Sequence, residues 1–229
     1  MFIVPTHRFN PKQVTAAPAP QVESGGVNLN DDESIIQTDG GGRWAISYSG
    51  IDLRSPASLR LWESWASYLS GGARAVLVPL LSLATAPRPM AGLGLARPSR
   101  LLADDEAFPT SVGYAAPYIK ATSVGAAALR ATVLTIDVAQ GSRIQGGEKF
   151  SVGRRAYLIE RVTAREGQQA TCVISPPLRQ AIAAGAALNF EWPLVQCRAV
   201  SGQSLAPDVS FGRSSAVAIS FVEDFGDAE

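Results

Sequence analysis

Hydrophobic and polar positions alternate with a period of two over several short stretches of the chain, which is the signature of half-buried β-strands. Residues 43–50 (RWAISYSG) set Trp44, Ile46 and Tyr48 against Ala45, Ser47 and Ser49. In residues 130–138, Leu134, Ile136 and Val138 share a face. Residues 156–163 set Tyr157, Ile159, Arg161 and Thr163 against Ala156, Leu158, Glu160 and Val162. Glu166-Gly167 reads as a hairpin turn into a return strand over 170–175. Residues 75–81 (AVLVPLL) read as a strand that Pro79 places at an edge or end. A further strand over 188–200 is interrupted at Pro193. Near the end, Ala216, Ala218 and Ser220 alternate with Val217, Ile219 and Phe221, and this strand is expected beside residues 43–50.

Two stretches carry the helical period instead. After Ser55-Pro56, a cap and first-turn signal, Leu59, Trp62, Ala66 and Leu69 recur at steps of three and four, with Gly71-Gly72 as the stop. This aromatic stripe suits core packing better than a sugar- or base-stacking platform. A short helix is expected after Pro176-Pro177 (LRQAIAA), ended by Gly185. The resulting fold class is mainly β, antiparallel sandwich or small-barrel modules, with one amphipathic helix and one short helix.

The pattern also divides the chain. Residues 1–42, rich in Pro and Gly, read as an extended N-terminal arm with one short strand near 27–29. Residues 43–128 read as a β-rich domain with a helix over 56–70 and a long loop over 82–128. Residues 129–200 read as a small barrel or sandwich, and 201–229 as a strand returning to the first sheet. Phe2, Ile3, Val4 and Phe9, with His7 and Arg8 among them, are unusually apolar for a solvated tail. They either hook onto a neighbouring subunit or pack on their own domain. In the hook reading, deleting residues 1–20 weakens assembly and leaves the thermal transition unchanged. The long loop, with Arg88, Arg97, Arg100, Asp104 and Asp105, is a natural contact surface because so long a segment without a pattern needs a partner.

Composition narrows the chemistry. Of 229 residues, 46% are hydrophobic and 17% charged, with a formal net charge of zero, so no general nucleic-acid binder is expected. Only Lys12, Lys120 and Lys149 are lysine. GC-rich coding accounts for most of that preference, and arginine's fork for carboxylates for the rest. His7 is the single histidine, which argues against histidine-based hydrolases and zinc sites. The glycine runs lack phosphate-loop context, and the acidic runs 31–33 and 104–106 lack calcium-loop spacing. No metal, cofactor or catalytic residue is therefore expected. Cys172 and Cys197 read as buried free thiols, with a disulfide open if their strands adjoin. The first residues form too short an apolar run for a signal peptide, and no membrane span is expected.

Residues 147–162 (GEKFSVGRRAYLIERV) and 174–200 (ISPPLRQAIAAGAALNFEWPLVQCRAV), together with 43–50 and 70–80, resemble a family of tail proteins of long-tailed bacteriophages, of the minor-tail or distal-tail type. The resemblance implies a non-enzymatic structural protein of the virion tail, assembled in the host cytoplasm. It implies a homo-oligomeric ring, commonly a hexamer, joining the tail-tube protein to tail-tip or hub proteins. The competing reading is a carbohydrate- or receptor-binding β-module using Trp44, Trp62, Trp65 or Trp192. It requires those rings exposed in a groove, whereas a ring subunit buries most of them.

Overall fold

The computed structural model describes residues 1–20, 22–27, 29–37, 42–88, 119–207 and 215–226. In chain order, α1 is Thr6–Phe9, β1 Gln13–Ala19, β2 Val22–Val27, β3 Glu33–Gln37, β4 Arg43–Leu53, α2 Pro56–Leu69 and β5 Ala75–Pro79. Then come β6 Lys120–Ser123, β7 Val133–Gln140, β8 Lys149–Val152, β9 Arg155–Glu166, β10 Gln169–Ser175, β11 Ala187–Leu188, β12 Leu194–Ala199 and β13 Ser215–Glu223. The fold is mainly β and antiparallel, as the alternation predicts.

The first unit is a five-stranded sheet in the order β1-β4-β13-β12-β5. β4 buries Trp44, Ile46 and Tyr48, then changes phase and buries Ile51 and Leu53. The switch is a bulge: Tyr48 faces Ile219 and Ile51 faces Val217, so two residues of β4 oppose one of β13. Gly50, at φ 66°, supplies the left-handed residue the bulge needs.

α2 covers this core with Trp62, Trp65 and Leu69. Its start is a reciprocal cap in which Ser58 N–H donates to Ser55 Oγ and Ser55 N–H to Ser58 Oγ, both at 3.1 Å. The left-handed residue at its end is Ser70 rather than a glycine, with φ 48°. Gly72 answers a different constraint, since a Cβ there would lie 2.3 Å from the carbonyl oxygen of Ala199.

The N-terminus is not an extended arm. Phe2–Val4 runs along the outer edge of β5, with Leu77 N–H donating to Phe2 O and Val4 N–H to Leu77 O, each at 2.9 Å. Val4 and Phe9 are core residues, and the Phe9 ring meets Trp62 edge-on at 5.3 Å. β1 pairs along β4 from Gln13↔Ser49 to Ala19↔Arg43, and Pro18 is tolerated because β1 is an edge strand. Average composition hid this, because a few well-placed apolar residues and one edge pairing suffice to anchor a Pro-rich segment. Among the described residues, β2 and β3 pair only with each other, as an exposed hairpin.

The second unit is a six-stranded sheet in the order β11-β6-β7-β10-β9-β8, whose ends meet through reciprocal Ser151–Asn189 backbone bonds of 2.9 Å. It is a nearly closed barrel around Leu134, Ile136, Phe150, Tyr157, Ile159, Cys172, Ile174 and Phe190. β6 falls within the residues expected as a long loop, and its four residues were too short a pattern to register. β12, expected in the barrel, belongs to the first sheet, pairing with β5 and β13. Pro193 marks the crossing between the units.

The helix expected after Pro176-Pro177 does not form. Leu178 and Ile182 are buried in the barrel, and their N–H groups donate to Ala131 O and Ala127 O at 2.9 Å. Their spacing of four suits a helix, but pairing with residues 127–131 supplied the backbone partners instead. Among the described residues the short α-helix is α1.

In β9 the expected alternation breaks. Ala156 faces the first core, and Tyr157 and Ile159 the barrel core. Two register shifts against β10 then bring Val162, not Arg161, toward the barrel.

Contrary to the hook reading, removing the N-terminal segment should destabilise the fold. Phe9→Ala is expected to lower unfolding stability by about 3 kcal/mol, read from the urea midpoint by tryptophan fluorescence. An unchanged midpoint would show that Phe9 is not core.

Candidate functional site: an arginine-lined cleft at the seam

The two units meet where β4, β9 and β13 converge. β13 alternates inward through Val217, Ile219 and Phe221, and the same parity turns Glu223 inward. Glu223 is 1% exposed. Its Oε2 accepts the Trp44 N–H at 3.1 Å, and its Oε1 lies 3.9 Å from Arg155 Nη1. Burial pushes this carboxyl above its ordinary value, while the Trp44 N–H and the guanidiniums of Arg179, Arg155 and Arg43 pull it back without cancelling the shift.

Immediately after Glu223 the chain presents the Phe225 ring to three guanidiniums. Arg179 Cζ lies 4.7 Å from its centroid, Arg43 Cζ 4.8 Å and Arg155 Cζ 5.7 Å. Arg155 Nη1 also donates to Asp224 O at 2.5 Å, and Arg179 Nη2 to Gly42 O. Gly42 has to be glycine, because a Cβ there would overlap the carbonyl of Ala19. Asp224 is matched separately by Arg198 at 3.0 Å and by Gln196.

Beside this cluster opens a cleft of about 270 Å³ lined by Leu129, Arg130, Arg155, Pro177, Leu178, Arg179 and Phe225. Arg130 holds a left-handed backbone, φ 67°, at its rim. Three guanidiniums (Arg43, Arg155 and Arg179) act on one buried carboxylate, Glu223, and Arg130 adds a further cation at the cleft. The chemistry this offers is recognition of carboxylate- or phosphate-bearing groups by forked donors over an apolar floor.

The residues singled out from sequence lie elsewhere. Val4 and Phe9 are buried in their own core and cannot reach a neighbour. Phe2 and Ile3 are exposed, although the Phe2 ring meets Tyr68 edge-on at 5.0 Å. His7 and Arg8 are exposed on α1. Arg88 is exposed, its Nε donating to Leu83 O at 2.8 Å. Arg97, Arg100, Asp104 and Asp105 lie outside the described residues. Sequence reasoning missed the arginine cleft, although the parity of β13 signalled an inward Glu223.

Trp44, Trp62 and Trp65 are buried and only Trp192, 43% exposed, is available to a ligand. Cys172 and Cys197 are free and lie in different sheets, and burial pushes both thiols up, Cys172 to about 11. Among the described residues no group of three or more His, Cys, Asp or Glu side chains could hold a metal ion. The chain matches no protein-family model and no curated protein.

The Glu223 shift has a definite sign. With its folded value raised, the folded state binds a proton more readily than the unfolded chain, so stability falls as pH rises from the ordinary carboxylate range to the raised value. Glu223→Gln should remove that fall, measured as urea midpoints between about pH 4 and 7. A wild-type-to-variant gap that does not change with pH would contradict the shift.

Proposed function

We propose that this protein is a non-catalytic structural subunit of the tail of a long-tailed bacteriophage. In this reading it forms a homo-oligomeric ring, a hexamer in the simplest case, of the distal-tail or minor-tail type. The ring joins the tail-tube protein to tail-tip or hub proteins. The observation that carries the reading is the β2–β3 hairpin. Val27, Ile35 and Ile36 are 63%, 62% and 60% exposed, and Leu29 at the tip is fully exposed. A two-stranded hairpin is marginal alone in water, and apolar side chains on an unpaired ribbon are a liability for a monomer. Burial against a neighbouring subunit removes both costs.

The remaining features are consistent with a scaffold. Two β-units pack against each other along a seam, and the aromatic residues needed by the glycan-binding alternative are mostly core. No helix among the described residues is long and apolar enough to cross a membrane. A ring needs two different complementary faces on each subunit, and an exposed hairpin supplies one of them.

The purified chain should sediment as a discrete oligomer and appear as rings in negative stain. Replacing residues 22–37 by a short Gly-Ser turn should abolish the oligomer and leave the thermal transition near its original temperature. A strictly monomeric wild-type chain at tens of micromolar would overturn the ring.

A further inference from the structure

The hairpin tip carries Asp31, Asp32 and Glu33, all exposed, beside Leu29. The cleft at the seam presents the opposite charge over an apolar floor that includes Leu129, 58% exposed, and Phe225, 40% exposed. From these two surfaces we infer that the hairpin tip of one subunit docks in the arginine-lined cleft of the next. This rests on the oligomeric reading above and specifies its contact.

The molecule's own arm does not fill its own cleft in this arrangement. The hairpin is rooted beside it, since Arg43 pairs with Ala19 and Arg179 holds the carbonyl of Gly42. The six residues of β2 span about 20 Å at the usual strand rise. A tip at that reach can meet a second copy. Its acidic groups are opposite in sign to the cleft, which Arg130, Arg155 and Arg179 line with Arg43 stacked on Phe225 beside it, while Asp224 is already matched by Arg198. Leu29 supplies the apolar anchor that the floor of Leu129 and Phe225 accommodates. Such a contact is heterologous, tip to cleft, and therefore propagates around a ring.

The test uses the full chain and exposed positions only, so that folding is preserved. The tip variant is D31N/D32K/E33K, with Asn kept at 31 because that residue has φ 64°. The cleft variant is R130D, because Asp tolerates the left-handed backbone there and Arg130 is not among the arginines that act on Glu223. Intact thermal transitions, followed by tryptophan fluorescence, confirm that both fold. Each variant alone should weaken self-association at least about tenfold in sedimentation equilibrium, and raising salt should weaken the wild type in the same direction. Mixing the two variants should restore assembly, because each reversed surface then meets a complementary one. If the wild type assembles and neither variant alters its association, this contact is wrong while the oligomer stands. If only deletion of residues 227–229 alters association, the chain's acidic C-terminus occupies the cleft and the inference also fails. If the wild type is monomeric, the oligomeric reading falls and this contact with it.

Discussion

The architecture depends on one strand serving two cores. At the start of β9, Ala156 lies against the sheet beneath α2 while Tyr157 and Ile159 enter the barrel. A strand buried on both faces cannot slip by one residue without exposing both sets of side chains. Backbone-directed bonds fix it further. The Trp44 indole donates to Ala156 O at 2.7 Å, and Gln196 N–H to Arg154 O, just before the strand, at 2.9 Å. The barrel is inserted between β5 and β12 of the sheet, and this strand welds the insertion to its host.

That weld explains the position of the buried charge. Glu223 ends β13 where the two cores part, so its carboxylate is shielded by both and reached by arginines from both. Removing one partner of such a cluster leaves an uncompensated buried charge, which costs far more than the pair contributes. The cluster therefore constrains how the two units sit, whatever its net energy. Phe225, held among three guanidiniums, extends the constraint to the surface at the cleft.

Strand existence and the helix with its cap were legible in the sequence because each carries its period locally: Trp44, Ile46 and Tyr48 in β4, Leu134, Ile136 and Val138 in β7, and Ser55 before α2. What was not legible is non-local. Whether residues 177–184 form a helix depended on the free backbone groups of residues 127–131, which no local pattern reveals. Likewise, β12 reads like any barrel strand until the pairing with β5 and β13 is known. The bulges in β9 change which side chains face inward without altering composition. The cleft was hidden for the same reason. Arg43, Arg130, Arg155 and Arg179 lie far apart in the chain, Arg179 reaching a carbonyl 137 positions away at Gly42. Only the inward Glu223 pointed to their convergence.

A chain with zero net charge can still be strongly polar in its arrangement, and here the two signs are separated along the molecule. Acidic residues gather at the tip of an arm with no core of its own, and arginines gather at the seam where that arm begins. Separation of this kind would suit the contact between copies inferred above. The stiffness of the arm governs how copies are then oriented. A flexible arm would permit many relative orientations and so many stoichiometries, whereas a fixed arm would repeat one rotation from subunit to subunit. Whether repeated contacts close or spiral is set by that rotation.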